Sequence, residues 1–182
     1  MHYTKEKYFL PVDCIIPNMN LLRKVISNGY LPLTPILAWN LLFASALPPA
    51  YNPASFNTNI PPIILTGENV FRAIIFSLPL FFSLTIKAGT WKRGLLLYCA
   101  GTALYFASWL SLMLAPDSGW STSLLGFAAP AYTPILWLTG IAMMGEAYYF
   151  KLNYSKWHYL IPSIAFSFFH VVHTVIVYIR SY

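Results

Sequence analysis

What the chain has least of is charge. Asp, Glu, Lys and Arg together make up 9% of its 182 residues, against about 25% in a soluble globular domain. With 58% hydrophobic residues and a mean hydropathy of +0.59, that scarcity excludes a solvated fold and implies an integral membrane protein. Acidic side chains are scarcest, five against eleven basic ones, for a net charge of +6. The basic residues are few and sit at the ends of apolar runs, so they read as topology signals rather than as a nucleic-acid surface. Cysteine is nearly absent too. Cys14 and Cys99 form no CxxC motif and no disulfide framework, which argues against thiol-based redox chemistry. The first fifteen residues carry Lys5, Glu6, Lys7 and Asp13 and lack the uninterrupted apolar core of a signal peptide, so the N-terminus is expected to stay on the chain. GxSxG, HExxH and Walker A patterns are missing as well.

Apolar runs are abundant. The expected fold is all-α: a polytopic bundle of five transmembrane helices, at about 31–48, 68–87, 94–115, 124–149 and 158–179, in one domain over 31–182. Each run can cross about 30 Å of hydrocarbon at about 1.5 Å per residue, the first only barely. Residues 1–30 form a cytoplasmic leader. In it Leu21, Leu22, Val25 and Ile26 recur at helical spacing opposite Arg23, Lys24 and Ser27, between an Asn20 cap and a Gly29 stop. That pattern predicts a short amphipathic helix lying on the membrane surface.

Orientation follows from lysine and arginine. Lys5, Lys7, Arg23 and Lys24 precede the first span, Lys87, Lys92 and Arg93 lie between the second and third, and Lys151 and Lys156 lie between the fourth and fifth. All fall on one side, and only Arg180 breaks the pattern. The N-terminus is therefore expected in the cytoplasm and the C-terminus outside. The longest connection, residues 49–67, is then extracytoplasmic. Its prolines and asparagines resist regular structure, while Phe56, Ile60, Ile63, Ile64 and Leu65 make it apolar enough to fold back as a lid.

Polar groups inside the spans are few and worth locating. An arginine at the bilayer centre costs about 3 kcal/mol on insertion scales and less near the edge, so Arg72 needs a partner or a task. Glu68 is one helical turn away, at i−4. His170 and His173, at i and i+3, share a face of the last span and can donate, accept or ligate. By the helical rise, Arg72 lies about 6 Å below the outer edge, His173 about 9 Å and His170 about 13 Å. Asn40, Ser108, Trp109, Tyr132 and Thr133 fall at about 9 to 13 Å by the same arithmetic. Polar residues from all five spans thus converge on one slab of the outer half. Hydrogen bonding between helices is the plainer role for such residues. A metal centre wants three or four ligands and a haem ligand pair normally comes from separate helices, so no metal is assigned and no cofactor is identified. Glu146, near Lys151 at the inner interface, is explained by snorkelling. Small residues Ala100, Ala103, Ala107 and Ser111 form a stripe on the third span that allows close approach of a neighbouring helix, in this chain or in a partner membrane protein.

Glu68-x-x-x-Arg72 followed by Phe166-x-x-x-His170 resembles part of the pattern of the CAAX-type intramembrane proteases. That pattern has a double glutamate before the arginine and a further histidine motif; here Gly67 replaces the first glutamate and the last motif is absent. Five spans with a long first loop resemble the layout of the tryptophan-rich sensory and translocator proteins, which bind porphyrins and sterols, without their tryptophan-proline signature around Asn57–Pro62. Neither family is assigned.

The residues lead to an outer-half pocket that binds or transports a small or lipid-like molecule, Arg72 offering charge-assisted hydrogen bonds to an anionic or carbonyl group, with Glu68, Asn40, Trp109, Tyr132, His170 and His173 around it. The alternative is a membrane-embedded enzyme on a lipid-like substrate, with Glu68, His170 or His173 as acid-base groups. A subunit or assembly factor of a membrane complex is the third reading.

Overall fold

The computed structural model describes residues 25–85 and 89–182, and it is mostly helical. In chain order the helices are α1 (Leu33–Phe43), α2 (Pro53–Phe56), α3 (Pro62–Ser77), α4 (Gly89–Leu114), α5 (Leu124–Phe127), α6 (Ala129–Tyr132), α7 (Pro134–Met144) and α8 (Lys156–Ser181). Two short strands, β1 (Phe82–Leu84) and β2 (Gly145–Tyr148), pair antiparallel. Three helices are long and apolar enough to cross a membrane: Pro62–Phe81 (α3 with its 3-10 extension), Gly89–Leu114 and Lys156–Ser181.

Proline explains where the helices differ from the expected spans. The first expected span, 31–48, holds only the 11-residue α1 and a 3-10 turn at Ala44–Ala46. Pro32 and Pro35 set its start, and Pro48 and Pro49 follow its end, where a helix cannot continue. The second begins at Pro62, six residues earlier than the expected Glu68, because proline is well suited to the first helical position. It tightens to 3-10 over Leu78–Phe81 at Pro79 and then becomes β1, well short of Lys87. The fourth, 124–149, is not one helix. Pro130 and Pro134 each withhold a backbone N–H and divide it into α5, α6 and α7, and Gly145 ends it in β2. The third and fifth are continuous 26-residue helices that extend the expected ranges at their N-terminal ends, α8 running through Pro162. Of the expected leader helix, residues up to Lys24 lie outside the described residues; Val25 and Ile26 are helical and exposed.

The broken fourth segment is the centre of the fold. Ala129, Ala131, Trp137, Leu138, Ile141 and Ala142 are each at most 2% exposed, so it is enclosed by its neighbours as a helix apolar all round should be. The packing of α4 on α7 is made by glycine. A Cβ at Gly101 would lie 2.5 Å from the backbone N of Trp137, and one at Gly140 would lie 2.5 Å from that of Tyr98. The small residues Ala100, Ala103 and Ala107 of the same helix are exposed and take no part in this approach. On the opposite flank α3 packs on α8, where a Cβ at Gly67 would meet the Phe169 ring at 2.6 Å.

At one end of the bundle β1 and β2 register Phe82 with Tyr148 and Ser83 with Ala147. The Gly29 N–H donates to the Phe82 carbonyl at 2.9 Å and the Leu84 N–H to the Ser27 carbonyl at 2.6 Å, so the ribbon satisfies backbone groups that the ended helices leave open. At the other end the residues between α1 and α3 fold over the helices. Ile60 is buried with Phe127 and Val177, and Phe56, Ile64 and Leu65 pack against them, whereas Ile63 is exposed. This connection is more regular than its composition implies. Asn52 caps α2 by accepting from the Ala54 N–H at 3.1 Å, and Asn59, at φ 54°, makes the left-handed turn that asparagine tolerates.

Candidate functional site: a buried carboxylate between two helices

Glu68 stands on the first turns of α3, on the face that meets α8, and is 1% exposed. A carboxylate so placed must be paired or hydrogen-bonded, and three side chains answer it. Arg72, one turn along α3, donates Nη2 to Oε1 and Nη1 to Asn69 Oδ1 at 3.1 Å. From α8, His170 Nδ1 lies 3.0 Å from the same Oε1, and His173 Nδ1 lies 2.5 Å from Oε2. His173 is itself 1% exposed, and its Nε2 donates to the Phe56 carbonyl at 3.0 Å. The four ionisable residues expected to share one depth thus meet at one carboxylate. Gly67 helps here, because a Cβ beside Glu68 would press on the edge of the Phe169 ring and require that ring to shift.

Aromatic rings frame the group. Phe166 stacks on His170 with centroids 5.2 Å apart, and the Arg72 guanidinium sits 5.9 Å from the Phe166 ring. Phe56 lies over His173 at 4.2 Å. Phe166 and His170 are the i and i+4 pair noted in the sequence, and the ring fixes the plane in which the imidazole reaches Glu68.

Beside the cluster lies a cavity of about 150 Å³ lined by Leu47, Tyr51, Phe56, Tyr105, Trp109, Pro130, Ala131, His170 and Thr174. An apolar cavity of about this volume takes a benzene-sized molecule. One polar group in its wall has capacity to spare: His170 engages Glu68 through Nδ1, which leaves Nε2. Trp109 lines the space with its ring, and its Nε1 is buried. Arg72 does not line the cavity; its guanidinium is partly exposed and turned to Glu68 and Asn69. Among the described residues no group of three or more His, Cys, Asp or Glu side chains is arranged to hold a metal ion.

The other expected residues divide. Asn40 accepts from the Tyr105 hydroxyl at 2.5 Å and so serves a bond between α1 and α4 next to the cavity. Tyr132 is elsewhere: its hydroxyl donates to the Leu125 carbonyl, and it lines a separate cleft of about 450 Å³ with Ser108, Trp120 and Thr133. Four residues gain a role that sequence reasoning missed. Tyr105 and Thr174 line the cavity, Tyr51 crosses from the connection between α1 and α3 to the Phe127 carbonyl, and Arg180 donates to the Ser55 carbonyl at 2.6 Å and to that of Thr58. Arg180 carried a signal. It is the cation that breaks the lysine and arginine pattern of the sequence, and it stands seven residues and about two turns beyond His173, within reach of the Ser55 and Thr58 carbonyls. Burial raises the Tyr51 hydroxyl well above the usual tyrosine range, so it stays a proton donor.

Fold and site together define an all-α membrane protein with a buried polar centre. No protein-family model, curated protein or solved structure matches the chain.

Proposed function

We propose that this is a multi-pass protein of the cell membrane, five segments deep with its N-terminus in the cytoplasm, that binds a small or lipid-like molecule in the outer half. The observation that carries the reading is the cavity wall: one acceptor, His170 Nε2 behind a Glu68-held Nδ1–H, in a surface that Leu47, Phe56, Trp109 and Ala131 make mostly apolar. That wall suits a hydroxyl group at the end of an apolar body. The volume admits such an end and leaves a longer body to emerge between the outer connection and the helices. Arg72 contributes by balancing Glu68 rather than by touching the ligand.

The test is thermal unfolding in mild detergent with fractions of a polar lipid extract. A fraction that raises the melting temperature of the parent by several degrees should lose that effect in His170→Ala, because only binding to the native state shifts it. An equal shift in both proteins, or none with any fraction, refutes the reading.

One observation favours a second reading, a membrane-embedded enzyme. A carboxylate that fixes an imidazole through Nδ1 and leaves Nε2 beside a cavity is the arrangement of a general base. Turnover of a short-chain fluorogenic ester, lost in His170→Gln and kept in Tyr132→Phe, supports it. Absence of turnover in the parent removes it.

A further inference from the structure

His173 makes two hydrogen bonds, and both partners are oxygens that accept. The Phe56 carbonyl has no proton to give, so Nε2 must carry one. Glu68 Oε2, 2.5 Å from Nδ1, belongs to a carboxyl group that is ionised or protonated. With the carboxylate ionised, Nδ1 must carry a proton and the ring is an imidazolium. With the ring neutral, Nδ1 is a bare lone pair and the carboxyl must hold the proton. Either way the arrangement contains one proton more than a neutral histidine beside a carboxylate. We propose that Glu68 and His173 together form a buried proton-binding site, and that the bound proton latches the outer connection onto α8.

The latch is the Phe56 carbonyl at the open end of α2, a helix terminus with unsatisfied carbonyls. Loss of the proton leaves His173 one N–H for two acceptors, so either Glu68 is left buried with one bond fewer or the Phe56 carbonyl is released. The buried carboxylate has more to lose, so the carbonyl lets go. Phe56 and Tyr51 both line the cavity, and release therefore loosens its outer wall.

The groups facing this proton come from every packed element. Arg72 on α3 and Arg180 on α8 are cations, and His170 on α8 shares Glu68. Tyr51 is the ionisable group of the connection, and burial keeps its hydroxyl protonated, so its bond to Phe127 does not respond to pH. Arg180 grips Ser55 and Thr58 regardless of the proton. The proton count rests on these hydrogen bonds alone and stands whether or not the cavity takes a ligand.

Hydrogen–deuterium exchange of the Phe56, Asn57 and Thr58 amides, which close the α2 turn, reads the latch. It is measured in lipid nanodiscs from pH 5 to pH 9, corrected for intrinsic exchange, in the parent and in an Arg180→Ala background. Protection should fall about tenfold as pH rises, the weight of one charge-assisted hydrogen bond, and more clearly without Arg180. Glu68→Gln is the decisive variant. Its amide donates to Nδ1 of a neutral His173 and leaves Nε2–H on Phe56, so protection should stay high and flat across the range. His173→Ala should be unprotected throughout. Flat protection in the parent, or a pH response in Glu68→Gln equal to that of the parent, overturns the proposal.

Discussion

At the scale of single residues, Glu68 decides most of what happens around it. Arg72, His170 and His173 all direct a nitrogen at one carboxyl group that is 1% exposed. Deleting one side of a buried charged group while leaving its partners costs about 3 kcal/mol or more. Glu68→Ala should therefore lower stability by about that amount, and Glu68→Gln, which still offers an acceptor and a donor, by less than half of it; denaturant unfolding in detergent micelles gives both values. Tyr105→Phe leaves Asn40 without its donor and should lose about 1 kcal/mol in the same assay. The charged cluster was legible in the sequence because its two halves are local: i, i+4 in one helix and i, i+3 in the other fix faces without any tertiary knowledge. Depth brought those halves to one level. It could not tell Asn40 and Tyr132 apart, since residues at equal depth can face different neighbours, and only the packed structure shows Asn40 on Tyr105 and Tyr132 on another cleft.

At the scale of helices, the fold depends on two glycine-made approaches of different hardness. At Gly101 the obstacle to a side chain is the backbone of Trp137, which cannot swing away; at Gly67 it is the edge of the Phe169 ring, which can. Gly101→Ala should thus be the more damaging substitution, spreading α4 from α7, while Gly67→Ala should fold and show a weakened contact of α3 with α8. Circular dichroism melts of the two variants give the order, and the reverse order would contradict the packing described. The sequence does not single out Gly101 and Gly140 for this contact, because small residues on a helix look alike whichever way they face. Proline had the opposite history. Its positions were plain, but whether a helix runs through it, as in α8, or is divided by it, as in 124–149, depends on the neighbours available to satisfy the freed carbonyls.

At the scale of the whole molecule, the polar cluster and the strand ribbon occupy opposite ends of α3, one at its start and one past its finish. The proposed orientation, which follows lysine and arginine, puts the ribbon end inward. Ser118→Cys and Ala54→Cys should then react with a membrane-impermeant maleimide in intact cells, and Lys151→Cys only after permeabilisation; the opposite pattern inverts the proposed orientation. For the reading as a subunit of a membrane complex, the proposed docking face is the exposed one with Ala100, Ala103 and Ala107. Purification in mild detergent decides that point, a larger complex supporting the partner and a lone monomer refuting it.

The central claim is that the space beside His170 and Trp109 is a binding site. Ala131, 1% exposed, lines that space without belonging to the hydrogen-bonded cluster, so Ala131→Leu fills the cavity and leaves Glu68 and its three partners in place. Native mass spectrometry of the parent and this variant, both purified from membranes, is the most direct test. The account predicts a bound small molecule or lipid on the parent and none on Ala131→Leu at equal helicity. The same bound mass on both proteins, or none on the parent, would contradict it.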